Sequence, residues 1–153
     1  MVTSLISQRD REFIREHFEK NLVGDVAITL FTERQSALFV PGRQSCEYCE
    51  DTRLLLTELA ELSDKVRLEV LQFREEPERA KELNVTRIPA IVLDGESRGR
   101  VRFFGIPSGY EFSALLQDIV DLSRNETSLS AETRSALGEL TEDVHIQVFS
   151  TPG

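Results

Sequence analysis

Apolar residues recur along this chain with two distinct periods. Over 7–20, Phe13, Ile14, His17 and Phe18 fall on one face of a helix that Ser7 can cap. After a turn over 21–25 containing Gly24, the run Val26-Ala27-Ile28-Thr29-Leu30-Phe31 is almost continuously apolar, as expected of a central strand covered on both faces. Pro41 and Gly42 interrupt residues 33–45, which are therefore not helical throughout. Leu54, Leu55, Leu59 and Leu62 return to helical spacing, and that helix stops near Ser63-Asp64. Residues 66–73 alternate as a second strand, and 74–83 form a charged connection in which Pro77 is placed to open a short helix. Ala90-Ile91-Val92-Leu93, a turn at Asp94-Gly95, and Arg100-Val101-Arg102-Phe103-Phe104 read as a β-hairpin. An amphipathic helix over 108–122 is expected to bury Phe112, Leu115, Leu116 and Ile119.

The order helix, strand, helix, strand, helix, hairpin, helix implies one parallel strand pair joined by a crossover and an antiparallel pair beside it. The α/β class follows, with a mixed central sheet, helices on both of its faces and an extra helix in front. Beyond this unit, 130–140 read as another short helix, followed by Asp143-Val144-His145-Ile146-Gln147-Val148-Phe149-Ser150. That stretch matches Asp25-Val26-Ala27-Ile28-Thr29-Leu30-Phe31-Thr32 in Asp, Val, Ile and Phe, and exchanges Leu for Val and Thr for Ser. It is an internal repeat of the first strand. The expected division is a redox domain over 1–125, then a linker helix and the first strand of a second, similar unit over 126–153.

Composition narrows the function classes. With 40% hydrophobic and 29% charged residues the chain is ordinary globular material, and no apolar run approaches the roughly 20 residues of a membrane span. The net charge of −9 argues against a nucleic-acid binder, since nothing here would neutralise phosphates. Met1-Val2-Thr3-Ser4-Leu5-Ile6 has neither the basic region nor the long apolar stretch of a secretory signal, so a cytoplasmic location is expected.

The chain has two cysteines, three apart, in Cys46-Glu47-Tyr48-Cys49. A disulfide scaffold would spread its cysteines to join distant segments; a lone CxxC reads as redox or metal chemistry. A zinc site would need four ligands, to which His17 and His145 alone could be added, each more simply read as a boundary or strand residue. For redox work the attacking group is a thiolate, and the N-terminal end of a helix, with its unpaired N–H groups and positive dipole end, both stabilises and exposes one. Cys46, at the expected start of the helix, is therefore the attacking thiol. Cys49, one turn on, resolves the mixed disulfide. Glu47, Glu50 and Asp51 disfavour a nearby thiolate, so the expected potential is reducing, below about −150 mV. A second feature, Thr86-Arg87-Ile88-Pro89-Ala90, sets a proline at the first residue of a strand, which suits an edge or a special turn; pattern alone leaves its isomer open.

The strand, the CxxC-headed helix, Ile88-Pro89 before a hairpin and Gly105 after it resemble the thioredoxin and glutaredoxin superfamily. The chain resembles more closely the N-terminal unit of the two-unit protein disulfide oxidoreductases (glutaredoxin-like proteins) of thermophiles. The stretches that carry this are the opening helix, the CxxC, Phe103-Phe104-Gly105-Ile106-Pro107-Ser108-Gly109-Tyr110-Glu111-Phe112, Asp118-Ile119-Val120-Asp121-Leu122-Ser123-Arg124 and 144–152. The resemblance implies a thioredoxin-like fold and a cis Pro89 facing the dithiol. It also implies that the Ile88 backbone pairs with an extended substrate, with Tyr48 helping to shape the site. It implies a second CxxC shortly after Ser150-Thr151-Pro152, beyond Gly153, so simple disulfide reduction or dithiol oxidation is the expectation here. No metal or organic cofactor is implied. The partners expected are protein disulfides and a reductase such as thioredoxin reductase, with a homodimer if the 144–149 strand pairs across two chains. One departure is the long 33–45 stretch, whose Ala37-Leu38-Phe39-Val40 is either local core or a docking patch. The alternative function, of a different class, is a non-catalytic docking domain with an incidental dithiol.

Overall fold

Ser7, in extended backbone, accepts a hydrogen bond from the Asp10 N–H through its side chain and so starts α1, Gln8–Asn21. The structure is a computed structural model that describes residues 4–34, 45–95 and 99–149. The remaining elements are β1 (Val26–Thr32), α2 (Cys49–Ala60), β2 (Val66–Gln72), α3 (Pro77–Glu82), β3 (Ala90–Asp94), β4 (Arg100–Phe104), α4 (Tyr110–Arg124) and α5 (Ala131–Gly138).

The apolar run of β1 is central because it is paired on both sides. The sheet order is β2-β1-β3-β4. β2 runs parallel to β1, from Val26↔Val66 to Thr32↔Gln72. β3 runs antiparallel, with Phe31 opposite Ala90, and β4 is antiparallel to β3, with Ala90 opposite Phe104. Alternation along β1 then divides the core. Val26, Ile28 and Leu30 join Ile14 and Phe18 of α1, Leu55, Leu56 and Leu59 of α2, and Leu115 and Ile119 of α4. Phe31, on the other face, joins Ala90, Val92, Val85 and the α3 residue Ala80, with Leu83. Leu56 and Leu59 are fully buried, the kind of position where truncation to alanine costs about 2–5 kcal/mol.

Two ties lock the chain ends of this unit together. Ser123 Oγ donates to the Gly24 carbonyl (2.7 Å) and accepts from the Val23 N–H (2.8 Å), while the Gly24 N–H reaches the Ser123 carbonyl (3.0 Å). Arg124 adds bonds to the Asn21 carbonyl and side-chain oxygen. At the other end of α1, Glu58 of α2 accepts from the N–H groups of Leu5 and Ile6 (both 3.0 Å), from Ser4 Oγ (2.9 Å) and from Arg11 (3.1 Å). Burial pushes the Glu58 carboxyl up, but these donors together outweigh it and hold the group below its ordinary value.

Several expectations need correcting. Phe13, expected on the buried face of the first helix, is 66% exposed, because Ile14 and Phe18, four apart, define the core stripe and Phe13 lies about 100° off it. Phe112 and Leu116 are packed against the core but only half-buried. Residues 143–149, read as a strand, are unpaired, and Val144, Ile146, Val148 and Phe149 are all more than half exposed. A strand exists only with a partner, and none is present among the described residues. Residues 37–40 and 96–98 lie outside the described residues. No helix among the described residues is long and apolar enough to cross a membrane.

Candidate active site

β1 ends at Thr32 and β3 begins just after Pro89, so the register sets Thr32, Pro89 and Gly105 at one end of the sheet. α2 starts over that same end. Its first residue is Cys49 and its N-cap is Tyr48, whose carbonyl accepts from the Thr52 N–H (3.0 Å) and hydroxyl (2.6 Å). Cys46 therefore precedes the helix by a turn of chain rather than opening it. The N–H groups of the first helical turn still face this region.

Cys46 and Cys49 are joined as a disulfide with their Cα atoms 5.4 Å apart. Their environments differ. Cys49 is fully buried, and its carbonyl accepts from Thr32 Oγ1 (3.3 Å); Cys46 is half-buried beside exposed Glu47 and Tyr48. An attacking thiolate arriving from solvent can reach only the Cys46 sulfur. Asp51 and Glu47 bring negative charge to the helix start, and Glu50 brings more. The Arg53 guanidinium, donating to both Glu50 oxygens (2.6 and 3.1 Å), holds that carboxyl below its ordinary value, so part of the charge is matched locally.

The Ile88–Pro89 bond is cis. Pro89 is buried, and its carbonyl accepts from the Gly105 N–H (2.9 Å); Gly105 has φ +100°, which L side chains rarely adopt. Ile88 tucks its half-buried side chain against the Phe31 cluster, while its backbone N–H and carbonyl have no partner among the described residues. The structure thus brings Cys46, Cys49, Tyr48, Ile88 and Pro89 to one end of the fold. His17 stacks on Phe13 (6.0 Å) and contacts Asn21, and His145 is exposed in the 143–149 segment; among the described residues no group of three or more His, Cys, Asp or Glu could hold a metal ion. Sequence reasoning missed Thr32, Thr52 and the Gly105 tie; a threonine closing an apolar strand run just before the CxxC segment was the available signal.

The profile of the thioredoxin domain family matches residues 39–117. Among solved structures, a protein disulfide oxidoreductase from Aeropyrum pernix superposes with a TM-score of 0.73 at 30% identity, covering 88% of this chain and 55% of that one. A component of the alkylhydroperoxide reductase of Enterococcus faecalis gives 0.71 at 22% identity over 88% of this chain and 60% of its own, a likeness of fold alone. The N-terminal domain of that component, solved separately, gives 0.69 at 22% identity, over 84% and 58%. The chain therefore spans between half and two thirds of the length of these three structures. No curated protein sequence matches it.

Proposed function

This chain belongs to the thioredoxin domain family, and from that premise we propose that it exchanges disulfides with protein substrates through Cys46 and Cys49. The observation that carries the reading is the unequal exposure of the two sulfurs: an accessible Cys46 in a disulfide with a fully buried Cys49, beside a cis proline. In the reducing direction the Cys46 thiolate attacks a substrate disulfide, forming a mixed disulfide and releasing one substrate thiolate, which takes up a proton. Cys49 then loses its proton and attacks the Cys46 sulfur, closing the internal disulfide and releasing the second substrate thiol. Two electrons pass to the substrate, the protein dithiol is oxidised, and both protons end on the substrate thiols. The reverse sequence oxidises a substrate dithiol.

Tyr48, Ile88 and Pro89 form the substrate-binding side of this reading, with the unpaired Ile88 backbone as the strand-pairing element. A dithiol reductase, such as thioredoxin reductase, returns the electrons, and the cytoplasm is the compartment where a lone CxxC pair without a structural disulfide framework belongs. Residues 1–125 are the redox unit and 126–153 a linker leading into a second one, a division supported by the absence of buried side chains from α5. The exposed apolar residues of 144–149 favour pairing with a second copy.

Insulin disulfide reduction with dithiothreitol tests the central reading. Turnover that disappears in Cys46→Ser is expected; equal rates in the two proteins, or none in either correctly folded sample, would sink it.

A further inference from the structure

The backbone of Thr86, Arg87 and Ile88 has no hydrogen-bonded partner among the described residues, so this segment offers an unpaired edge at the dithiol end of the sheet. In its middle stands Arg87, exposed, with its guanidinium carbon 4.8 Å from the centroid of the Phe104 ring. Phe104 closes β4 opposite Ala90, and the next residue, Gly105, binds Pro89, so this aromatic seat is fixed to the cis-proline turn. A cation within about 6 Å of a ring face is attracted to it. That contact holds the side chain while leaving its N–H donors unspent. Among the described residues no carboxylate answers Arg87, unlike Arg53, Arg67, Arg74, Arg79 and Arg100.

We propose that Arg87, seated on Phe104, selects substrate disulfides that carry a carboxylate within two residues of the reacting cysteine. The inference rests on the reading of Cys46 and Cys49 as an exchange pair. An extended peptide paired along 86–88 advances about 3.3 Å per residue, so a Glu or Asp one or two positions from its cysteine comes within reach of a guanidinium fork. Long-range charge opposes this contact. The chain carries a net −9, and Glu47, Glu50 and Asp51 stand near the dithiol, all repelling an acidic peptide. Glu50 is matched by Arg53, and charges beyond a Debye length of about 10 Å are screened at 0.1 M salt, whereas a direct Arg–carboxylate contact is screened much less. At moderate salt the local contact therefore decides.

The test uses three matched fluorogenic disulfide peptides bearing Glu, Gln or Lys beside the cysteine, turned over by the chain at 0.1 M salt. The expected kcat/KM ratio of the Glu to the Lys peptide is about fivefold, the size of one exposed ion pair, expressed mainly in KM. In Arg87→Gln the ratio falls to one or below, in Arg87→Glu it inverts, and in Phe104→Leu, which keeps the charge but removes its seat, it shrinks. Arg87→Lys restores only part, because an ammonium lacks the planar fork. A wild-type preference for Lys would mean that the acidic residues govern, and an unchanged ratio in Arg87→Gln with turnover intact would mean that Arg87 selects nothing; either overturns the inference alone. Failure of the unsubstituted chain to turn over any peptide overturns the redox reading and this inference with it.

Discussion

Replacing Glu58 by Gln should loosen the N-terminal segment from α2 by more than any surface ion pair in this chain could. Glu58 is 13% exposed and gathers four donors: the Leu5 and Ile6 N–H groups, Ser4 Oγ and Arg11. Ser4, Ile6 and Arg11 all meet Oε2 and Leu5 alone meets Oε1, so the isosteric amide keeps its oxygen toward the first three and turns its NH2 toward the Leu5 N–H. Three charge-assisted bonds become bonds to a neutral oxygen, and the Leu5 N–H, in a residue 44% exposed, is left to water; together these changes cost about 2 kcal/mol. For a domain of this size that lowers the melting temperature by roughly 5–10 °C. Glu61, which meets Arg11 at 3.3 Å but is 62% exposed, is the control: Glu61→Gln should cost under about 0.5 kcal/mol. Urea unfolding with unchanged slopes is the assay. The pH dependence has a definite sign. The folded Glu58 carboxyl sits below its ordinary 4.5, so its contribution is complete above the unfolded value and is lost as pH falls through the folded one. The gap between wild type and Glu58→Gln should thus be full at neutral pH and narrow only once pH has fallen below 4.5. A gap that matches the Glu61 control, or that ignores pH, would refute the argument.

Other outcomes follow from the same geometry. Cys49→Ser should accumulate a mixed disulfide between Cys46 and substrate, visible on a non-reducing gel and by mass; a variant that clears it as fast as wild type would remove Cys49 from the resolving role. Asp118 is raised by burial first and by neighbouring Asp121 second, so its ionised form weakens the fold as pH rises through the folded value. Asp118→Asn should raise the unfolding midpoint slightly at neutral pH, with no gain once pH falls below 3.8. Light scattering at high concentration should show a dimer that Val148→Asp abolishes; a strict monomer in wild type would rule out pairing through 144–149.

The parts of the fold legible in the sequence are those written by local periodicity. β1 is recognisable because a strand covered on both faces needs nearly every residue apolar, and the helical returns of Leu55, Leu59 and Leu62 mark α2 equally well. The two cysteines and Ile88-Pro89 stood out as chemistry before any geometry. What periodicity could not supply is whatever depends on distant neighbours. The start of α2 at Cys49, not Cys46, reflects which carbonyl Thr52 finds, a choice of a few residues that pattern does not resolve. Adjacent Phe13 and Ile14 are equally apolar, and only the docking of α1 on α4 and α2 decides which is inside. Residues 143–149 carry the composition of β1 yet form no strand, because β1 is made by its flanking strands as much as by its own side chains. The seat of Arg87 on Phe104 joins residues 17 apart, which neither period connects.

The clasp between Ser123-Arg124 and the turn at 21–24 has a consequence for synthesis. Its partners lie about 100 residues apart, so the contact closes nearly the whole redox unit into a ring, at a chain-entropy cost of roughly 4 kcal/mol. A ribosome releases the two halves of this clasp at opposite ends of the job. α1, β1 and the CxxC helix emerge first and must wait, with the Val23 and Gly24 backbone unmet, until the last turn of α4 arrives. Throughout that interval both cysteines are outside the tunnel and free to meet other thiols. The dithiol is thus exposed to mispairing before the fold that buries Cys49 exists, and two residues at the far end of the domain decide when that vulnerable period ends.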